Sequence, residues 1–362
     1  MTEIKFKTLV TVVFLFVTIP AAIGLDSLAE AYLEQGKVVY DRGDLMGAKR
    51  LFNQAAVHAV KTYDSPLHKA SIFNNAGEVY RRLFELKGRN YQPDEEDRAT
   101  APTLKIVCPN DPLDSILPEA SAEWMAQRYL KLALEIKENT LGTFSLDVAR
   151  SMENLASLYL AIERVDEAEA LLRKALKIRE TKEGLHSSSI APICFRLGKA
   201  LKDRSYRHSD DNAKSAALND AVSNFQRAKR LWLSSNSAPE LIAAACQETS
   251  FCHYLLFGLL GQPVSLDLAE RLYDESEQRY QKNLPRLKKR YDEFKSVLHP
   301  VAVEIELFWE RKVLEQKTSD GRLPASAGDE LVRLMKAKKR LGKTEDYKEA
   351  QELYNKYCRT NQ

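Results

Sequence analysis

The feature that most constrains this chain is an internal repeat. Residues 126–142 read AQRYLKLALEIKENTLG, and residues 168–184 read AEALLRKALKIRETKEG. The offset is 42 positions (126 to 168) and carries Ala133 onto Ala175, Leu134 onto Leu176, Ile136 onto Ile178 and Gly142 onto Gly184. The same offset moves Leu155-Ala156 onto Leu197-Gly198. A period of this length marks a stacked array, because one helix pair cannot bury its apolar face alone and must lay it on the next pair. The chain has 362 residues, more than one compact core usually holds, but only 14 Gly and 13 Pro. Length and sparse breakers both favour an elongated helical array over a many-stranded sheet.

Within each unit the pattern is helix, short turn, helix. In residues 29–55, Tyr32, Gly36, Val39 and Tyr40 share one helix, Gly43-Asp44 makes the turn, and Ala48, Phe52 and Ala55 lie on the second helix. Residues 149–176 repeat this through Leu155, Ala156, Tyr159, Ala168, Leu172 and Ala175. On these residues the sequence resembles the tetratricopeptide repeat family. The period and the run ALEIKENTLG…LDVARSMENLASLYL are similar to its kinesin-light-chain subtype. The resemblance is best over residues 29–231 and implies an all-α fold: a right-handed solenoid of antiparallel helix pairs.

Two units carry insertions. The first helix of the second unit is expected to end near Lys87 and its partner to begin near Glu119. Between them lies a Pro-rich segment, residues 89–118, of a length that is often functional or disordered when it lacks secondary structure. In the fourth unit the polar stretch Asp203 to Ala217 separates Leu197, Gly198 and Leu201 from Ala221, Phe225 and Ala228. Beyond residue 236 the pattern fades into the strongly apolar 238–260, then helices over 300–316, 327–340 and 345–358. The expected organisation is a solenoid over 25–236 and degenerate repeats with a cap over 237–362.

Residues 1–24 read as an export signal. Lys5 and Lys7 precede the apolar run Leu9–Ile19, Pro20 ends it, and Ala22-Ile23-Gly24 offers small residues for cleavage near Gly24. This predicts a secreted or periplasmic protein. Phe6 to Leu25 approaches the length of a membrane span, so an uncleaved anchor is the alternative.

Lys+Arg at 54 against Asp+Glu at 51 leaves a net charge of +3, too balanced for a nucleic-acid binder. The basic run Arg333–Lys343 reads as an amphipathic helix with a solvated basic face, or as a contact for an anionic membrane surface. The five cysteines (108, 194, 246, 252 and 358) form neither a disulfide framework nor a zinc pattern. The six histidines are scattered, no nucleophile, phosphate-loop or metal motif occurs, and Cys252-His253 are helix neighbours pointing about 100° apart. The expectation is a non-enzymatic protein without metal or cofactor.

Partner binding follows from the resemblance. In the family's peptide binders, an Asn just before the Leu/small pair of the first helix often holds the ligand backbone. Here Asn75 precedes Ala76-Gly77 and Asn154 precedes Leu155-Ala156, while the equivalent positions hold Arg196 and Glu34. Lys37, Asn74, Arg81, Arg150 and Lys199 lie nearby on first helices and suggest a mildly cationic groove for an acidic or C-terminal segment of a peptide or protein partner. Sequence leaves the oligomeric state open.

Overall fold

In a computed structural model, the described residues are 25–61, 65–107, 118–282, 292, 295–317 and 322–358. The export signal and Cys108 lie outside them. The described elements are helices: α1 (Leu25–Asp41), α2 (Leu45–Lys61), α3 (Pro66–Lys87), α4 (Glu95–Val107), α5 (Ala122–Leu141), α6 (Leu146–Ala161), α7 (Val165–Glu183), α8 (Ala191–Ser205), α9 (Asp211–Ser234), α10 (Pro239–Leu260), α11 (Pro263–Lys282), α12 (His299–Glu315), α13 (Gly328–Arg340) and α14 (Thr344–Tyr357). Short 3-10 turns occupy Gly88–Asn90, Ser188–Ile190 and Ala325–Ala327. No described helix is long and apolar enough to cross a membrane. The chain divides into two compact units meeting at Lys182 and Glu183.

Helices begin where the sequence offers a cap. The Asp44, Ser121, Ser145 and Asp210 side chains accept the backbone N–H three residues on, satisfying one otherwise orphaned donor each. Gly43, Gly142 and Gly184 end helices at positive φ (83°, 77° and 86°), where a side chain would meet its own backbone. Asp210 explains why α9 starts inside the stretch expected to be a linker: residues 211–217 continue the helix from this cap.

In the first unit, α1 pairs with α2, α3 with α5, and α6 with α7. The contacts repeat one device. Gly36 leaves room for Phe52, and a Cβ built at Gly36 would lie 2.5 Å from its ring. Gly77 does the same for Leu130, at 2.6 Å. In the second unit Gly198 seats Phe225, at 2.7 Å. A small residue on the first helix thus receives a large one from the second, and the surrounding Ala48, Ala55, Ala126, Ala133, Ala221 and Ala228 are buried. Close approach of two helices at small residues is what makes each pair a unit.

The second unit pairs α8 with α9 and α10 with α11, then packs α12 on α11 and closes with α13 and α14. One core joins Leu266, Ala269, Tyr273, Val301, Ala302, Ile305 and Ala337. A smaller one under α13 and α14 joins Val313, Leu323, Leu331 and Leu334.

The Pro-rich insertion contains helix α4, which lies against α2 and α5, the second helices of the first two pairs. Asp94 and Asp97 open it with a reciprocal cap: each carboxylate accepts the other's backbone N–H at 3.0 Å. Asp97 is fully buried and also receives the Tyr80 and Tyr91 hydroxyls at 2.5 Å each and the Lys49 ammonium at 2.9 Å. Lys49, fully buried too, reaches Asp94 at 2.5 Å. Asn53 donates to the Tyr80 hydroxyl at 2.7 Å and accepts from the Tyr129 hydroxyl at 2.8 Å. Burial pushes the Tyr80, Tyr91 and Tyr129 phenols well above their ordinary range, so they stay protonated donors.

Candidate partner-binding faces

The first helices of the first unit stand side by side, α3 touching α1 on one edge and α6 on the other. The structure brings Asn74 and Asn154 together across the second contact: the Asn154 amide donates to Asn74 Oδ1 at 2.8 Å, and both are half-buried. Asn75 turns back along its own helix and donates to the Ser71 carbonyl at 2.9 Å. Of the two neighbouring asparagines, Asn74 thus makes the inter-helix contact with Asn154, while Asn75 bonds within its own helix.

The charge on this face is largely matched. Lys37 bonds Glu34 at 2.5 Å. Arg81 is mostly buried and clamps Glu78 at 2.5 and 2.8 Å while also bonding Glu85. Arg82 and the Tyr40 hydroxyl converge on the same Glu78. Burial opposes ionisation of Glu78, but the Arg81 and Arg82 guanidiniums outweigh it and hold the carboxyl below the usual range. Arg150 is solvent-exposed. The expected cationic groove is thus mostly a neutral, hydrogen-bonding strip in the first unit. Arg196, half-buried, and Lys199, exposed, sit on α8 in the second unit.

Two other sequence candidates resolve differently. The run Arg333–Lys343 is tied to carboxylates of the same unit. Arg333 meets Asp267 at 2.8 Å and stacks on Trp309 at 4.5 Å. Lys336 and Arg340 bond Asp274, and Lys338 and Lys343 reach the buried Glu306 at 3.3 and 2.6 Å. Most of this run is therefore an internal clasp rather than a solvated basic face. At Cys252-His253, neither ring nitrogen of the buried His253 has a hydrogen-bond partner, so no thiol–imidazole pair forms. Burial pushes the Cys246 and Cys252 thiols up to about 12, which makes them inert. Both are free thiols.

Sequence reading missed a pocket of about 460 Å³ in the second unit. Its apolar wall comes from Leu218 of α9 and Leu255, Phe257 and Leu259 of α10; Tyr206, just past α8, and Tyr254 add aromatic faces. Lys214 and Glu304 supply charge. The available signal was α10 itself: its sequence is apolar nearly all round, yet Leu260 stands 44% exposed at its end. A helix of that kind is either wholly buried or presents a surface to be covered.

Residues 125–181 match the sequence profile of the tetratricopeptide repeat family. No curated protein matches the chain. Among solved structures, BtubC (BKLC) from P. vanneervenii is similar with 16% identity and a TM-score of 0.47, over 71% of this chain and 82% of that one. A putative kinesin light chain with TPR-like repeats from Podosopora anserina gives 15% identity and 0.46, over 72% and 99%. Aspartyl phosphate phosphatase F from Bacillus subtilis gives 15% and 0.49, over 90% and 68%. At these values the likeness says nothing of ligand or partner. The profile match spans α5 to α7, so residues 125–181 carry tetratricopeptide repeats, and the same small-for-large contact recurs in the pairs α1–α2, α3–α5 and α8–α9.

Proposed function

We propose that this chain is a non-enzymatic binding scaffold that works outside the cytoplasm and holds a peptide or protein partner along the first helices of its first unit. The observation that carries the reading is the Asn74–Asn154 pair on adjacent helices. Each amide keeps hydrogen-bonding capacity after that one bond, since a primary amide has two donors and two acceptor lone pairs. Such groups suit an extended peptide backbone, which presents one donor and one acceptor per residue. The export-signal pattern of residues 1–24 supports the location, and repeat arrays of this kind commonly act through their extended surfaces.

The test is affinity capture from the native extracytoplasmic fraction with the wild-type chain and with Asn74→Ala/Asn154→Ala. A partner bound by the first and lost by the second supports the reading; equal capture refutes it. N-terminal sequencing of the chain recovered from cells separates a cleaved signal from an anchor. A start at Leu25 in the soluble fraction is expected, and an intact Met1 held in the membrane would replace the free scaffold with a membrane-tethered adaptor.

A further inference from the structure

The pocket of the second unit joins an apolar wall to an unmatched charge. Its wall is built by Leu218, Tyr254, Leu255 and Phe257. Phe257 is held edge-on against Phe308 at 6.2 Å, which sets the end of α10 against α12. The volume of about 460 Å³ lies within the range of roughly 300–1,000 Å³ typical of ligand sites.

Two charged groups line this space, and they differ. Lys214 bonds Asp211 at 2.7 Å, one turn back on its own helix, so its charge is already matched. Glu304, half-buried on α12, makes no hydrogen bond or ion pair among the described residues. A carboxylate partly withdrawn from water beside apolar surface favours a cation. Tyr206 and Tyr254 also line the pocket, and aromatic rings attract the same charge. Fatty acids and acidic peptides would meet Glu304 as a like charge.

We infer that this pocket binds a bulky apolar side chain, aromatic or Leu, on a peptide segment whose adjacent Lys or Arg meets Glu304. The inference rests on the scaffold reading in that it takes a peptide as occupant, but it uses a different unit and different residues. The apolar side chain supplies the burial and the neighbouring cation supplies selectivity, the usual division of labour at an anchor pocket.

Gly258 provides a clean blocking variant. It lines the pocket, and a Cβ built there meets nothing within 4 Å. Gly258→Leu therefore starts a side chain from an open Cβ position at the pocket wall, at a helical position where Leu is the better helix former.

The experiment titrates short fluorescein-labelled peptides, uncharged apart from one Trp-Arg, Trp-Gln or Trp-Glu pair, into the purified full-length chain by fluorescence polarisation. Trp-Arg is expected to bind tightest and Trp-Glu weakest. Gly258→Leu should weaken all three by about tenfold or more. Glu304→Gln should weaken Trp-Arg by about threefold to tenfold and leave Trp-Gln unchanged, as expected for a partly exposed pair. Asn74→Ala/Asn154→Ala in the first unit should change nothing. No binding by any peptide, a preference for Trp-Glu, or indifference to Gly258→Leu would overturn the inference. The capture experiment on the first unit would stand or fall separately.

Discussion

Replacing Lys49 by Met should destabilise the first unit by about 3–5 kcal/mol, the range for removing one partner of a buried pair. Lys49 is fully buried and pairs with both Asp94, at 2.5 Å, and the fully buried Asp97, at 2.9 Å. Met conserves much of the side-chain volume, so the loss is of charge rather than packing. Asp97 would keep its two phenol donors and the Asp94 N–H, which places the expected value toward the lower end, about 3 kcal/mol. At about 1.4 kcal/mol per decade, that is roughly a hundredfold shift toward the unfolded form. The assay is urea denaturation followed by Trp fluorescence. Of the three tryptophans, only Trp124 lies in the first unit, so Trp232→Phe/Trp309→Phe leaves a local reporter. Adding Asp97→Leu to Lys49→Met should recover part of the loss, because the second change removes the stranded charge. A loss below about 1 kcal/mol for Lys49→Met would refute the claim that this network clasps α4 to the solenoid.

Two further outcomes are expected. Gly198→Ala should cost about 1–3 kcal/mol because its methyl would strike Phe225, whereas Gly258→Ala, with nothing within 4 Å, should stabilise by about 0.4–1 kcal/mol; thermal melts of both distinguish a packing glycine from an idle one. His253 has its pKa lowered by burial, so the unfolded chain binds its proton first. Stability should fall as pH drops below about 6.5, the ordinary His value, and His253→Leu should flatten that fall between pH 7 and 5 when melting is followed by circular dichroism.

The helix-pair array was legible in sequence because its determinants are local and periodic. The offset of 42 maps buried Ala126, Ala133 and Leu155 onto buried Ala168, Ala175 and Leu197, and left-handed Gly142 onto left-handed Gly184. Small residues at Gly36 and Gly198 announced the close contacts that Phe52 and Phe225 then make. What only the tertiary structure decided concerns groups whose partners lie far away in the chain. Lys49 finds Asp97 and Arg340 finds Asp274, so one insertion became a clasped helix and one basic run an internal clasp. Asn154 chose Asn74 over Asn75, because rotation about a helix of 3.6 residues per turn points adjacent side chains in different directions. The pocket at Gly258 and Glu304 needed four helices, α8, α9, α10 and α12, brought together, and no periodicity in one segment encodes a cavity between several.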